Sequence, residues 1–213
     1  MPQILSEKKF FDIINVSRET QENIRLYAGL LTKWQKKINL VSETTLPDLW
    51  SRHFYDSYQL KKLFDVSRAE NSGQKLQILD IGSGAGFPGL LLSMLDLGTF
   101  HMVESNGKKS TFMRQVIRQT NCKAIVHTAR AEELTAFPVD YIISRACASL
   151  NKLFDLGRNF IREDTICLFL KGQIADQEIE EARANWSFEV EKFTSVSAES
   201  GVILKLSHIK ALR

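Results

Sequence analysis

The sequence predicts an α/β protein: a mostly parallel, seven-stranded sheet of the doubly wound type, ending in an antiparallel hairpin and preceded by a helical cap. Three observations predict it. From Lys75 onward, strand-like apolar runs alternate with helical ones, as in a parallel sheet covered on both faces. The first strand runs into a glycine-rich turn, Gly82-Ser83-Gly84-Ala85-Gly86-Phe87-Pro88-Gly89, which then opens a helix. The chain closes on two strand-like runs, Phe188–Phe193 and Val202–Leu206, with no helical pattern between them.

Residues 1–72 read as the cap and residues 73–213 as the sheet domain. Ser17-Arg18-Glu19-Thr20 can begin a helix, and Ile24, Tyr27, Leu31, Trp34 and Ile38 then recur at helical spacing. The opposite side carries Arg25, Lys33, Lys36 and Lys37. A second helix is expected from Arg52 to Phe64, burying Phe54, Tyr58 and Leu60, with Asn71-Ser72-Gly73 as a polar break. The strands expected next are Leu76–Ile81, Phe100–Glu104, Ala124–His127, Tyr141–Ser144 and Ile166–Leu170. Helices are expected at Gly89–Leu95, Lys108–Gln119, Leu150–Phe160 and Asp176–Trp186. Trp34, Trp50 and Trp186 then fall at helical positions and read as core.

The 213 residues suffice for one α/β domain with an appendage. Met1 to Phe11 has no apolar signal core, and no stretch approaches the roughly 20 apolar residues that span a bilayer, so a cytoplasmic protein without membrane contact is expected. Cys122, Cys147 and Cys167 are odd in number and widely spaced, which suggests reduced thiols and no metal site. A net charge of +3 permits nucleic-acid binding without requiring it.

The glycine spacing fits two cofactors. Gly84-x-Gly86-x-x-Gly89 matches the dinucleotide fingerprint, whereas Gly82-x-Gly84-x-Gly86 after an acid is the S-adenosylmethionine pattern. Asp80 separates them: a carboxylate just before the turn repels a pyrophosphate but attracts a sulfonium and an ammonium. On that charge reading Asp80→Ala weakens donor binding at least about tenfold, and unchanged affinity would leave Asp80 a loop-bracing role. The alternative is that Asp80 only accepts hydrogen bonds from the loop amides. The C-terminal hairpin also favours the methyl donor, because the Rossmann-like class I methyltransferase fold has one.

Further motifs surround the turn. They are Trp34 with Asn39-Leu40-Val41-Ser42, Arg52-His53-Phe54 with Asp56-Ser57, Glu104-Ser105-x-Gly107-Lys108-Lys109, Arg130-Ala131-Glu132-Glu133, Ser144-Arg145-Ala146 and Leu170-Lys171-Gly172. In this combination and order the chain resembles the bacterial RsmG (GidB) small-subunit rRNA methyltransferases over roughly residues 25–175. The resemblance implies methyl transfer from S-adenosyl-L-methionine to guanine N7 in a loop of 16S rRNA. It also implies donor contacts at Gly82, Phe87, Ala131, Glu132 and Arg145. Cys147 stands where the family commonly has an aromatic residue, and Ala198-Glu199-Ser200-Gly201 where it often has an Arg-His pair.

The donor-binding set expected is therefore Asp80, Gly82, Gly84, Gly86, Phe87, Glu104, Ala131, Glu132 and Arg145. Glu104, about 20 residues past the turn, suits the two ribose hydroxyls, against the alternative of a solvated strand-end acid. Arg145 can pair the methionine carboxylate, an RNA phosphate, or structurally Asp80 or Glu104; it is also the candidate for aligning N7. Cys147 has no activating base near it in sequence, and no Asn/Asp-Pro-Pro-aromatic turn for exocyclic-amine methylation follows the fourth strand. N7 loses no proton on methylation, so positioning alone, which can supply about 7–11 kcal/mol, suffices. His53 and Asp56 can meet on one helix face and read as packing. Lys33, Lys36, Lys37, Arg52, Lys108, Lys109, Arg114 and Arg118 form the candidate RNA surface, against the reading of a solvated face. The partner expected is 16S rRNA or the 30S subunit, and the protein a monomer. The competing functions are an NAD-type oxidoreductase and a non-catalytic donor-binding assembly factor.

Overall fold

In the computed structural model, described over residues 5–145, 147–196 and 200–212, a seven-stranded sheet has the order β3-β2-β1-β4-β5-β7-β6. The strands are β1 (Gln77–Ile81), β2 (Thr99–Val103), β3 (Ala124–His127), β4 (Tyr141–Arg145), β5 (Ile166–Lys171), β6 (Trp186–Thr194) and β7 (Val202–Ala211). β1 to β5 pair in parallel, and β7 inserts antiparallel between β5 and β6. The chain winds outward one way through β2 and β3 and the other way through β4 and β5. The order therefore reverses between β1 and β4, and ligands collect beyond the strand ends at such a switch point.

The cap begins with α1 (Glu7–Ile14) and α2 (Arg18–Gln35). Ser17 caps α2 by accepting from the Thr20 amide (3.1 Å), and Ile24, Tyr27 and Leu31 are fully buried, as their spacing predicts. Trp34 is half-buried, and Ile38 lies beyond the helix end.

The helix expected over Arg52–Phe64 is present as a continuous helical run that changes register along its length: a π-helical stretch (Trp50–Tyr55), α3 (Asp56–Tyr58) and a 3-10 stretch (Gln59–Leu63), preceded by another 3-10 stretch (Glu43–Asp48). The apolar spacing there is helical, but the hydrogen-bond register is set by long-range packing. Phe54 is held by Trp50 (4.7 Å), Phe10 (6.0 Å), Tyr27 (5.3 Å) and Phe87 (5.2 Å), and such π turns gather at functional sites. A short helix, α4 (Ser67–Ser72), fills part of what reads as a linker and ends on Gly73 at φ 66°.

Between the strands lie α5 (Gly89–Ser93), α6 (Gly107–Thr120), α7 (Leu150–Gly157) and α8 (Ala175–Arg183). α8 stops short of Trp186, which opens β6 instead of closing a helix, though it is buried all the same. Ala198 and Glu199, singled out before the last strand, lie outside the described residues, as does Ala146.

Strand alternation sorts the core. Ile78, Phe100 and Ile143 face the cap, α5 and α6; Leu79, Ile81 and Phe169 face α7 and α8. Phe10, Tyr27 and Phe54 of the cap share the first cluster with the sheet, so no boundary in the packing separates residues 1–72 from the rest. Among the described residues no helix is long and apolar enough to cross a membrane.

Candidate active site

A cavity of about 560 Å³ opens over the C-terminal ends of β1, β2, β3 and β4, at the switch point. Its floor is the turn after β1. Gly82, Gly84 and Gly86 adopt φ values of 69°, 57° and 95°, a region that side chains disfavour. The turn is stitched to β2, since the amides of Gly82 and Ser83 both donate to the Val103 carbonyl (3.0 Å each).

Glu104 follows β2 and braces the same turn. Its Oε2 accepts from the Gly84 amide (2.9 Å) and its Oε1 from the Asn106 amide (2.8 Å). An ionised carboxylate offers about four lone-pair sites, so both oxygens can still accept a hydroxyl. Ala131 and Glu132, in a 3-10 turn after β3 (Ala131–Glu133), form the adjoining wall, with Ala131 buried and Glu132 exposed.

Arg145, the last residue of β4, does not pair with Asp80 or Glu104. Its Nη1 donates to the Arg52 carbonyl (2.9 Å), its guanidinium sits 3.7 Å from Asp56, and it covers the Phe87 ring at 5.1 Å. Asp56 thus serves Arg145, not His53. The following loop is held by the buried Lys171, whose Nζ donates to the Ala148 carbonyl and to Glu178 (2.6 Å each). Cys147 stands exposed beside Gly82 with its thiol pushed up by burial around it and by Asp80 and Glu104, the opposite of an activated nucleophile.

Of the nine donor-binding candidates, seven line the cavity; Asp80 and Gly86 do not. Period-two alternation turns Asp80 toward the cap, where it is fully buried and its Oδ2 accepts from the Gly89 amide (3.0 Å) at the start of α5. Burial raises its pKa from 3.8 to about 7. Between about pH 4 and pH 7 the folded protein keeps a proton on Asp80 that the unfolded chain has released, so this group lowers stability as pH rises through that window. Asp80→Asn removes the effect. The stability of that variant relative to wild type is expected to climb from pH 4 to pH 7 and then level off. Urea unfolding at about pH 5 and about pH 8 checks this, and a difference independent of pH refutes the buried acid.

The fourth wall comes from residues outside the donor-binding set expected from the sequence. Leu40, Val41, Ser42 and His53 come from the cap. Gln35 fixes the first part of it, accepting from the Leu40 and Val41 amides (2.9 and 3.0 Å) and donating to the Val41 carbonyl (2.9 Å). His53 is buried, and burial together with Arg145 and Arg52 lowers its pKa to about 3. Thr45 donates its hydroxyl proton to the Ser42 carbonyl (2.7 Å), so it accepts from His53 Nε2 (2.8 Å) and leaves Nδ1 as the unprotonated nitrogen. The only sequence signal for this wall is that both segments belong to the motifs quoted above, without a role attached.

Tyr27 couples cap to floor. Its hydroxyl donates to the Ala85 carbonyl (2.7 Å) and its ring stacks on Phe87 at 5.0 Å, while burial keeps the phenol protonated. Tyr27→Phe strands a buried carbonyl and is expected to lower stability by about 1–3 kcal/mol and to weaken donor binding, read by denaturation and calorimetry. Unchanged donor affinity would uncouple the cap from the loop.

Among the RNA candidates, Lys33, Lys37 and Lys108 converge at the α2–α6 junction, Lys109 lines the main cavity, and Lys36 and Arg52 are exposed. Arg114 is tied to the Val126 carbonyl (3.2 Å) and Thr128 (2.7 Å), and Arg118 lies exposed one turn further along α6. No group of three or more His, Cys, Asp or Glu suited to a metal occurs among the described residues.

The sequence profile of the family described as rRNA small subunit methyltransferase G matches residues 20–206. The chain belongs to that family. Ribosomal RNA small subunit methyltransferase G of Rhodospirillum centenum is 45% identical over 194 residues, covering 91% of this chain and 87% of its own. That of Rhodospirillum rubrum is 42% identical over 205 residues, covering 96% and 98%. Among solved structures, P. horikoshii TYW2 in complex with MeSAdo superposes with a TM-score of 0.58 at 10% identity, over 82% of this chain and 65% of that one. The ribosomal protein L11 methylase of Lactobacillus delbrueckii subsp. bulgaricus gives 0.55 at 18%, over 71% and 78%. These two establish the class I methyltransferase fold alone.

As a member of the methyltransferase G family the chain is an S-adenosylmethionine-dependent rRNA methyltransferase, and the dinucleotide reading of its glycines falls away. The cavity fits that donor. Three glycines hold the floor open, the Glu104 oxygens have lone pairs to spare, and about 560 Å³ lies within the roughly 300–1,000 Å³ of small-ligand pockets.

Proposed function

We propose that this methyltransferase acts on N7 of a guanine in a loop of 16S rRNA, within the 30S subunit or its rRNA, as a monomer in the cytoplasm. The observation that carries the N7 assignment is the state of the titratable groups around the cavity. His53, with a pKa of about 3, is too weak a base to remove a proton, and the Cys147 thiol is pushed up. Glu104 is engaged by two backbone amides. Apart from Glu132, beside which the nucleoside part of the donor is placed, such a lining offers no base and suits an acceptor that surrenders no proton, as guanine N7 is.

S-adenosylmethionine, when bound, supplies an electrophilic methyl carbon to the N7 lone pair. The chain's own residues do the positioning: Gly82, Gly84 and Phe87 with Glu104 as the bed for the nucleoside part, Ala131 and Glu132 beside it, and Arg145 over Phe87 at the opposite wall. Arg145, fixed by the Arg52 carbonyl and Asp56, offers its remaining N–H groups to a carboxylate or to the guanine. Asp80 supports the turn from beneath through the Gly89 amide, and Gly86 shapes it without facing the cavity.

The test is to incubate 30S subunits from cells lacking this protein with labelled S-adenosylmethionine and map the modified nucleotide. A methyl on guanine N7 of 16S rRNA is expected. A methyl on ribose, cytosine or an exocyclic amine overturns the assignment, and donor binding without transfer favours an assembly factor.

A further inference from the structure

A second cavity, about 570 Å³, opens where the end of α2 meets the start of α6. The two helices run antiparallel: Asn23 early in α2 donates to the Thr120 carbonyl at the end of α6 (3.2 Å), and Trp34 late in α2 packs on Phe112 (5.7 Å). Lys33, Lys37 and Lys108 ring the opening, all exposed, and no carboxylate lines it. The charge is deep as well as local, because neither Asn23 to Ser42 nor Ser105 to Ala131 contains an Asp or Glu.

Two side chains in this cavity have hydrogen-bonding capacity that the fold does not use. Neither the Trp34 indole N–H nor the Gln115 amide has a partner among the described residues. Both groups are open to the cavity, where an indole N–H can donate and a glutamine amide offers two donors and an acceptor. Thr111 differs, with its hydroxyl donating to the Gly107 carbonyl (2.8 Å).

The cavity adjoins the donor site. Lys108 lines one and Lys109 the other; Ile38 lines one and Leu40 the other. Residues adjacent or nearly adjacent along the chain thus line the two cavities.

We infer that this second cavity receives a nucleobase of the RNA strand flanking the methylated guanine. The base edge meets the Gln115 amide and the Trp34 indole N–H, and the strand's phosphates lie on Lys33, Lys37 and Lys108. The inference rests on the substrate being RNA, as proposed above. An acidic peptide would use the lysines but leave the hollow beside the Trp34 indole and the Gln115 amide without purpose. A flat ring with a polar edge uses both.

Two variants test it, with undermodified 30S subunits as the probe. Filter binding is read beside the methylation KM, and calorimetry with S-adenosylhomocysteine serves as control. Gln115→Leu is expected to raise the subunit Kd and KM about fivefold or more with an unchanged salt dependence, the scale of one lost base contact. Lys37→Glu combined with Lys108→Glu is expected to raise both at least about tenfold and to flatten the plot of log Kd against log salt by about one to two units. Both should keep S-adenosylhomocysteine affinity within about twofold. Wild-type Kd for Gln115→Leu, or an unchanged salt slope for the lysine pair, overturns the inference even if methylation proceeds. If the wild-type protein places no methyl on N7 while both variants still weaken subunit binding, the N7 assignment falls and the cavity's role stands.

Discussion

Gly82→Ala is expected to weaken S-adenosylhomocysteine binding by about ten- to a hundredfold and to lower methylation with it. Two effects combine. Gly82 sits at φ 69°, where an L side chain costs about 1–2 kcal/mol. Its added Cβ would also fall on the Cys147 sulfur, so the loop after β4 or the turn after β1 must move. Neighbouring substitutions separate the two. Gly84→Ala, at φ 57°, brings its Cβ only to 3.8 Å from the Gly82 carbonyl and isolates the backbone strain. Adding Cys147→Ala to Gly82→Ala relieves the collision and should restore part of the affinity. Wild-type affinity in Gly82→Ala, measured by calorimetry, would remove the turn from the donor site.

Arg145→Met is expected to lower kcat/KM for subunits by about a hundredfold or more, the scale for one preorganised donor, and to destabilise the fold by about 3 kcal/mol. The stability loss comes from the part-buried Asp56 and the Arg52 carbonyl, which lose the guanidinium together. Gln59 also donates to Asp56 (3.1 Å), which keeps the loss from being larger. Asp56→Asn added to Arg145→Met should recover stability but not activity. Recovery of both would make Arg145 a purely structural residue. Arg145→Lys is not a neutral control, since an ammonium cannot lie flat on Phe87 while donating to the Arg52 carbonyl.

Most of the sheet and half of the site were legible in the sequence for the same reason. Strands read from apolar runs, and residues at strand ends in this topology face the switch point. Gly82, Glu104, Ala131 and Arg145 are all within a residue or a short turn of a strand's C-terminal end, and all line the cavity. Asp80 shows the limit of that logic. Its charge and position suggested a ligand contact, but counting strand residues in pairs places it on the cap-facing side with Ile78, beneath the turn it was thought to serve. Trp186 shows another. An amphipathic stretch leading into an alternating one leaves the helix end undefined, and pairing with β7 draws Trp186 into the strand.

The sequence by itself determined the class of fold, the glycine turn that floors the main cavity and the family, because glycine spacing, strand ends and ordered motifs are local properties of the chain. Only the tertiary structure decided what closes that site. Leu40 to Ser42 and His53 become a wall, and Trp34 and Gln115 become neighbours, through contacts between segments that lie far apart in sequence. The π-helical turn that presents His53 exists because Phe54 packs among Phe10, Trp50, Tyr27 and Phe87. No local spacing encodes that cluster, since its members act on the backbone only once the cap has docked on the glycine turn.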